Sequence, residues 1–171
     1  MGFLESLRDK ELRGLYRARK LIENADLQAA RGNVPEAMAE LEKAKDLVSR
    51  DGIKESPHSK DYASVLVLMS GVFLKVQSLE DALKAADKAL TLAPADPMAL
   101  AARARALAAN GTHSEASAVM DKALELKGND RKLLFDKAKV LEEAGRKEEA
   151  VATYMKVVEM DPSDIETYDV L

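Results

Sequence analysis

Residues 97–130 read PMALAARARALAANGTHSEASAVMDKALELKGND, and residues 131–164 read RKLLFDKAKVLEEAGRKEEAVATYMKVVEMDPSD. Laid over one another at a spacing of 34 residues, Leu100 meets Leu134, Ala104 meets Ala138 and Leu107 meets Leu141. Further on, Ala116 meets Ala150, Met120 meets Tyr154 and Ala123 meets Val157. Each stretch holds two runs of apolar residues at helical spacing, separated by Gly111 or Gly145. That spacing places one apolar stripe on each helix. A glycine between them supplies the left-handed residue on which a helix ends. A single helix pair is too thin to bury its own stripe, so a repeat of this kind predicts stacked helix pairs that complete one another's core.

The same columns continue upstream. Residues 63–96 carry Leu66, Ser70, Phe73, Ala82, Ala86 and Ala89 in register, and Pro94, Gly128 and Pro162 close the three units. A fourth copy, displaced by an 11-residue insertion, offers Leu21, Ala25, Gln28, Gly32, Ala37, Leu41 and Ala44. The units are therefore 18–51, 63–96, 97–130 and 131–164. Gly32, Gln77, Gly111 and Gly145 share the column between the two helices of each unit. Alanine in the crossing columns lets paired helices approach closely. The pattern predicts helices near 3–31, 35–50, 60–76, 79–92, 97–110, 113–127, 131–144, 147–160 and 164–171. Thr112 with Glu115 and Ser163 with Glu166 read as capping boxes, and Ser78 with Asp81 as a weaker one. Asp96 before Pro97 reads as an N-cap followed by proline at the first helical position.

This pattern resembles the tetratricopeptide repeat family. The resemblance implies an all-α, right-handed α-solenoid of antiparallel helix pairs, with about four units. Residues 1–17 are then a helical extension continuous with the first repeat helix, 52–62 an inserted loop, and 165–171 the start of a capping or further helix. The sequence departs from the family in lacking an aromatic early in the first helix, where Leu21, Leu66, Leu100 and Leu134 stand instead, and in placing Gly128 where a proline closes other units.

The resemblance also implies a protein–protein interaction scaffold, in which the first helix of each unit lines a concave groove. Carried over column by column, the first unit contributes Arg19, Ile22, Glu23, Asp26 and Ala29. The second contributes Val67, Leu68 and Leu74, beside Ser64, Gly71 and Lys75. The third contributes Met98, Ala101, Ala102, Arg105, Ala108 and Ala109, and the fourth Lys132, Phe135, Asp136, Lys139 and Glu142. Family members that hold a peptide carboxylate use a clamp of Lys, Asn and Arg. Tried in two registers, those columns hold Ile22, Asp26, Leu68, Met98 and Ala102, or Val67, Gly71, Ala102, Lys132 and Asp136. Lys132 alone has suitable chemistry, so a clamp lacks the paired donors that make such contacts strong. The apolar groove residues Val67, Leu68, Leu74, Met98, Ala101, Ala102 and Phe135 are instead suited to a helical or extended apolar segment of a partner, with Arg105 and Lys139 at its polar flank.

Composition narrows the alternatives. Of 171 residues, 47% are hydrophobic, enough for a core. The net charge of −4 weighs against nucleic acid as a partner, although Arg8 to Lys20 holds six basic residues and two acidic ones. Absence of cysteine excludes disulfides and thiolate chemistry. No apolar run approaches the roughly 18 residues of a membrane span, and Glu5, Arg8, Asp9 and Lys10 interrupt any leader-like start. Membrane contact is thus disfavoured and a cytoplasmic location expected. His58 and His113 have no ligand-spaced neighbours and read as surface residues. Glu142, Glu143, Glu148 and Glu149 read as a solvated turn. No catalytic, cofactor-binding or metal-ligating residue emerges, and the expectation is a non-enzyme without a cofactor.

Two segments stand outside the repeat. The polar stretch Asp51 to Ser59 reads as an exposed loop, with Ser56-Pro57 a minimal modification match. Phe3, Leu4, Leu7, Leu12, Leu15 and Tyr16 form an apolar stripe with Arg8, Arg13, Arg17 and Lys20 nearby. This stripe reads as the capping end of the array, with a partner or dimer contact and a lipid-surface helix as the other readings. Met1-Gly2 also fits a loose myristoylation pattern. Ile165 and Tyr168 begin a fifth unit, so either the chain belongs to a longer protein or its end packs on the last repeat. A self-assembly module acting through residues 3–17 or the C-terminal end, and an accessory interaction domain of a larger protein, are the alternative functions.

Overall fold

The computed structural model describes residues 2–49 and 53–162, with side chains from Lys10 onward. The expected helix at 164–171, the Ser163–Glu166 box, and the side chains of Phe3, Leu4 and Leu7 lie outside the described residues. Eight helices follow in order: α1 Gly2–Ala30, α2 Val34–Leu47, α3 Ser59–Lys75, α4 Leu79–Leu92, α5 Pro97–Ala109, α6 His113–Lys127, α7 Arg131–Glu143 and α8 Lys147–Met160. The described residues hold no strand. Every helix end falls within three residues of its sequence expectation. The chain is all-α, built of adjacent helix pairs.

It divides into two compact units, Met1–Pro94 and Ala95–Leu171. The first contains the pairs α1–α2 and α3–α4, with α3 also packed on α1. The second contains α5–α6 and α7–α8, with α7 packed on both α5 and α6. Each pair is joined by three residues, too few for anything but an antiparallel return.

Those returns share one geometry. Gly32, Gln77, Gly111 and Gly145 all have positive φ, between 61 and 83°. In each turn the following amide reaches back five residues: Asn33 to Gln28 O, Ser78 to Phe73 O, Thr112 to Leu107 O and Arg146 to Leu141 O, all at 2.9 Å. The positive-φ residue itself donates three residues back, as Gly111 does to Ala108 O. This pair of bonds satisfies the last carbonyls of the first helix and turns the chain. Gly128 is a different case. Its φ of 73° and ψ of −153° lie where essentially only glycine goes, so it replaces a closing proline by another route.

The repeat columns form the core. Ala25, Ser70, Ala104 and Ala138 are fully buried, and so are Ala37, Ala82 and Ala116, with Ala150 almost so. Larger residues fill the space beside them: Phe73, Leu107 and Leu141 in one column, Leu41, Met120 and Tyr154 in another. Burying side chains of this size stabilises by about 1.5–3 kcal/mol each. Ser70 keeps its place among alanines because its hydroxyl donates to Ala82 O at 2.8 Å across the α3–α4 crossing. Gln28, polar in a column of large apolar groups, accepts a 2.8 Å hydrogen bond from Asn33 Nδ2 and is only half-buried.

Three local expectations are corrected. The Thr112–Glu115 box does not form: Thr112 Oγ1 donates to Leu107 O at 2.8 Å, and Glu115 pairs with Arg103 of the neighbouring helix at 2.8 Å. Ser78 likewise bonds the Asp81 side chain at 2.8 Å and caps no backbone amide. The stretch after Ser49 is not simply an exposed loop. Ile53–Glu55 makes a single 3-10 turn, Ile53 is buried, and buried Ser56 donates to Glu11 Oε2 on α1 at 2.9 Å. The Asp96 cap holds, accepting from the Met98 amide at 3.1 Å. Asp130, one period later, caps α7 through the Leu133 amide at 3.1 Å. Hydrogen bonding from Lys127 holds the Asp130 carboxyl below the usual carboxylate range, where it stays ionised to face the positive helix end.

Two predictions test this architecture. Gln77 is the only non-glycine with positive φ among the described residues, a conformation that costs an L-residue about 1–2 kcal/mol. Gln77→Gly should therefore raise stability by about 1 kcal/mol and the melting temperature by about 2–4 °C, whereas Gly111→Gln should lower both; calorimetry of the pair checks the sign. Ala138→Leu should overpack the α7–α8 crossing and cost about 1–3 kcal/mol, and an unchanged thermal melt would refute the crossing assignment.

Candidate functional site

The first helices of the repeats carry the residues singled out for binding, and each compact unit presents its own face. In the first unit, Leu12, Tyr16 and Arg19 follow one another at i, i+4 and i+7 on α1, and Asp61, Val65 and Leu68 do so on α3. Residues at that spacing share a helix face. Between them lies a cleft of about 250 Å3, lined by Leu12, Leu15, Tyr16, Arg19, Asp61 and Val65. Leu12, Tyr16 and Leu68 are 42, 67 and 43% exposed. Val67 and Leu74 are half-buried. At the far end of the face, Lys75 Nζ and Asp26 Oδ1 bridge α3 to α1 at 2.6 Å. Arg19 and Asp61 put opposite charges on the two sides of the cleft.

Ile22, assigned to the groove column, is instead 3% exposed and belongs to the core. The apolar stripe at residues 3–17 also divides: Leu15 is buried, while Leu12 and Tyr16 face solvent. The ammonium of Lys20 stands 6.0 Å from the Tyr16 ring centre.

In the second unit the assigned residues largely engage one another. Ala101 and Ala102 are 1 and 5% exposed and offer almost no surface. Met98 is half-buried. Arg105 Nε lies 3.6 Å from Oδ1 of Asp136, a carboxylate buried on α7. Lys139 sits over the Phe135 ring at 4.6 Å, and that ring meets Tyr154 edge-on at 5.5 Å. The Tyr154 hydroxyl donates to Glu142 Oε2 at 3.2 Å, and burial pushes its phenol above the ordinary range. Lys132 is exposed at the start of α7. Arg105 and Lys139, expected to flank a partner, thus have partners within the unit.

The histidines differ from their surface reading. His58 Nδ1 lies 3.2 Å from Asp61 Oδ2, and His58 Nε2 and His113 Nδ1 are buried with no hydrogen-bond partner among the described residues. The described residues contain no group of three or more metal-ligating side chains and no helix long and apolar enough to cross a membrane.

Two family models described as tetratricopeptide repeat match the sequence, one over residues 72–131 and one over residues 107–170. Together they span more than half of the chain. The chain belongs to the tetratricopeptide repeat family. Proteins of this kind are in general protein-interaction scaffolds without catalytic machinery. No curated protein matches the chain by sequence. Solved tetratricopeptide repeat structures share its fold. TTC0263, a thermophilic protein of Thermus thermophilus, is 24% identical, with a TM-score of 0.66 over 86% of this chain and 76% of that one. YrrB, described as having an unusual peptide-binding site, is 17% identical, with a TM-score of 0.54 over 99% of this chain and 97% of its own. The first tetratricopeptide repeat domain of human RPAP3 is 18% identical, with a TM-score of 0.55 over 79% and 98%. At these identities the likeness is one of fold, that of an α-solenoid.

The clamp columns of this tetratricopeptide repeat protein carry a testable consequence. Ile22 is buried and Asp136 is opposed by Arg105, so neither register assembles paired donors for a terminal carboxylate. Peptides ending in an acidic motif should bind no more tightly than their amidated forms in calorimetric titration, and a tenfold preference for the free carboxylate would contradict this.

Proposed function

We propose that the chain is a non-catalytic scaffold whose amino-terminal unit binds an apolar segment of a partner protein along the α1–α3 face. The observation that supports this most directly is the cleft between Leu12–Arg19 and Asp61–Val65, which continues on the same face of α3 into exposed Leu68. Exposed apolar groups gathered on one face mark an interaction site more strongly than the same groups scattered singly. A partner helix lays its apolar anchors against Leu12, Tyr16 and Leu68, the exposed large apolar residues of this face. Arg19 on one wall and Asp61 on the other favour a partner with charges of both signs beside its apolar stripe, which sets orientation more than affinity.

Self-assembly is the competing reading, since Tyr16 and Leu12 would serve a second copy equally well. Sedimentation across a concentration series separates the two: a partner-binding face leaves the chain monomeric. The direct test is Leu68→Asp. It places an unpaired charge in the contact and should weaken binding of a captured partner at least tenfold, because that charge must be desolvated without a mate. Leu68 is exposed in the free chain, so the circular dichroism and melt should be unchanged. Binding retained at full strength would refute the α1–α3 face, and loss of the fold would place Leu68 in the core.

A further inference from the structure

Around α1 the side chains change character in order, at about 100° per residue. Leu15, Ala18 and Ile22 turn into the core. Leu12 and Tyr16 form an exposed apolar ridge beside the cleft. Arg19 stands on the cleft side of that ridge. Arg13, Arg17 and Lys20 are exposed on its outer side, and the Lys20 ammonium lies 6.0 Å from the Tyr16 ring centre. Cations therefore bracket the ridge on both sides.

This charge is local. Arg8 to Lys20 holds six basic residues against Asp9 and Glu11, in a chain whose net charge is −4. Glu11 is turned away from the ridge, where its carboxylate accepts from Ser56 Oγ at 2.9 Å. One turn further along α1, carboxylates answer the cations one for one: Lys20 pairs with Glu23 at 2.7 Å and Lys75 with Asp26 at 2.6 Å. The excess of positive charge thus lies beside Leu12 and Tyr16. Across the cleft stands Asp61, the acidic residue among those lining it, 3.2 Å from His58 Nδ1.

We propose that the α1–α3 face selects an acidic amphipathic helix, one whose apolar stripe is flanked by aspartate or glutamate on the side that meets α1. The inference rests on that face being the partner-binding surface, and it names the partner's chemistry. The apolar stripe covers Leu12, Tyr16 and Leu68, and the acidic flank meets Arg13, Arg17 and Lys20. Burial of the stripe supplies affinity, while the charges set orientation and reject basic competitors. A lipid surface fits the same charges less well. A helix lying in a bilayer interface presents a continuous apolar face, whereas Leu15, between Leu12 and Tyr16, is turned into the core.

The probes are two blocked amphipathic peptides with the same leucine-rich stripe, one flanked by Glu and the other by Lys, titrated into the 15N-labelled chain. The Glu peptide should bind at least tenfold more tightly and shift the amides of Tyr16 and Leu68. Exposed ion pairs are individually weak, so this ratio sums several attractions and repulsions, and it should shrink as salt is raised. Arg13→Glu combined with Arg17→Glu should reverse the preference, with circular dichroism confirming the fold; if that variant unfolds, the neutral pair Arg13→Gln and Arg17→Gln should still reduce it. Leu68→Ser removes an apolar anchor without adding charge and should weaken both peptides alike. Equal affinity of the two peptides, or a preference untouched by the arginine variants, would overturn the proposal while leaving the face standing if Leu68→Ser still weakens both. Binding of both peptides unaffected by Leu68→Ser would overturn the face and the proposal together. Vesicles of phosphatidylcholine and phosphatidylserine in equal parts should not displace the Glu peptide; displacement that the arginine variants abolish would assign the basic stripe to lipid instead.

Discussion

Two helices can approach only as closely as the thinnest side chains at their crossing permit, and in this chain that limit is set by alanine. Ala25 with Ala37, Ser70 with Ala82, Ala104 with Ala116 and Ala138 with Ala150 stand 12 residues apart in every pair. Seven of the eight are completely covered and Ala150 is 3% exposed. Everything else follows from that closeness. The broader columns are pushed to either side, where Phe73, Leu107, Leu141 and their counterparts become the filling between layers. The Ser70 hydroxyl is informative because it is tolerated: it is barely larger than a methyl group, and a carbonyl of the opposing helix lies within hydrogen-bond reach. A polar group there without that carbonyl would be an unmet buried donor.

Most of the helical frame could be read from sequence because it depends on period and on residue size, both local properties of the chain. The column of Gly32, Gln77, Gly111 and Gly145 identified all four turns, and even Gln77 adopts the glycine-like backbone there. What could not be read was competition across helices. Thr112 and Glu115 have the right types and spacing for reciprocal capping, but Leu107 O claims the hydroxyl and Arg103 the carboxylate. Arg105 and Lys139 looked like free cations for the same reason, until folding set Asp136 and the Phe135 ring beside them. Surface columns transfer less well than core columns because a long side chain chooses among several neighbours, while a buried alanine has none to choose.

The insertion shows the same limit in another form. Its composition is polar, with Gly52, Ser56, Pro57 and Ser59, and polar runs correlate with exposed loops. Yet Ile53 is buried and the Ser56 hydroxyl is tied to Glu11. One apolar residue and one well-placed donor are enough to fasten part of such a segment. Because it stands between α2 and α3, it also removes the helix–helix packing that the second unit retains. A length change that costs little in loop closure therefore alters which surfaces the first unit exposes.

The three-residue returns have a bearing on how the chain acquires its structure. Each links helices that are immediate neighbours in sequence, so the search for a partner helix spans only a short stretch of chain. Proteins dominated by such short-range pairings fold in microseconds to milliseconds. Because the hydrogen bonds of each return lie within a few residues, any of the four hairpins is a site from which order can spread to its neighbour. The insertion lengthens the path between the first two hairpins alone. The contact of α3 with α1 is therefore closed across a longer stretch of chain than either hairpin of the amino-terminal unit.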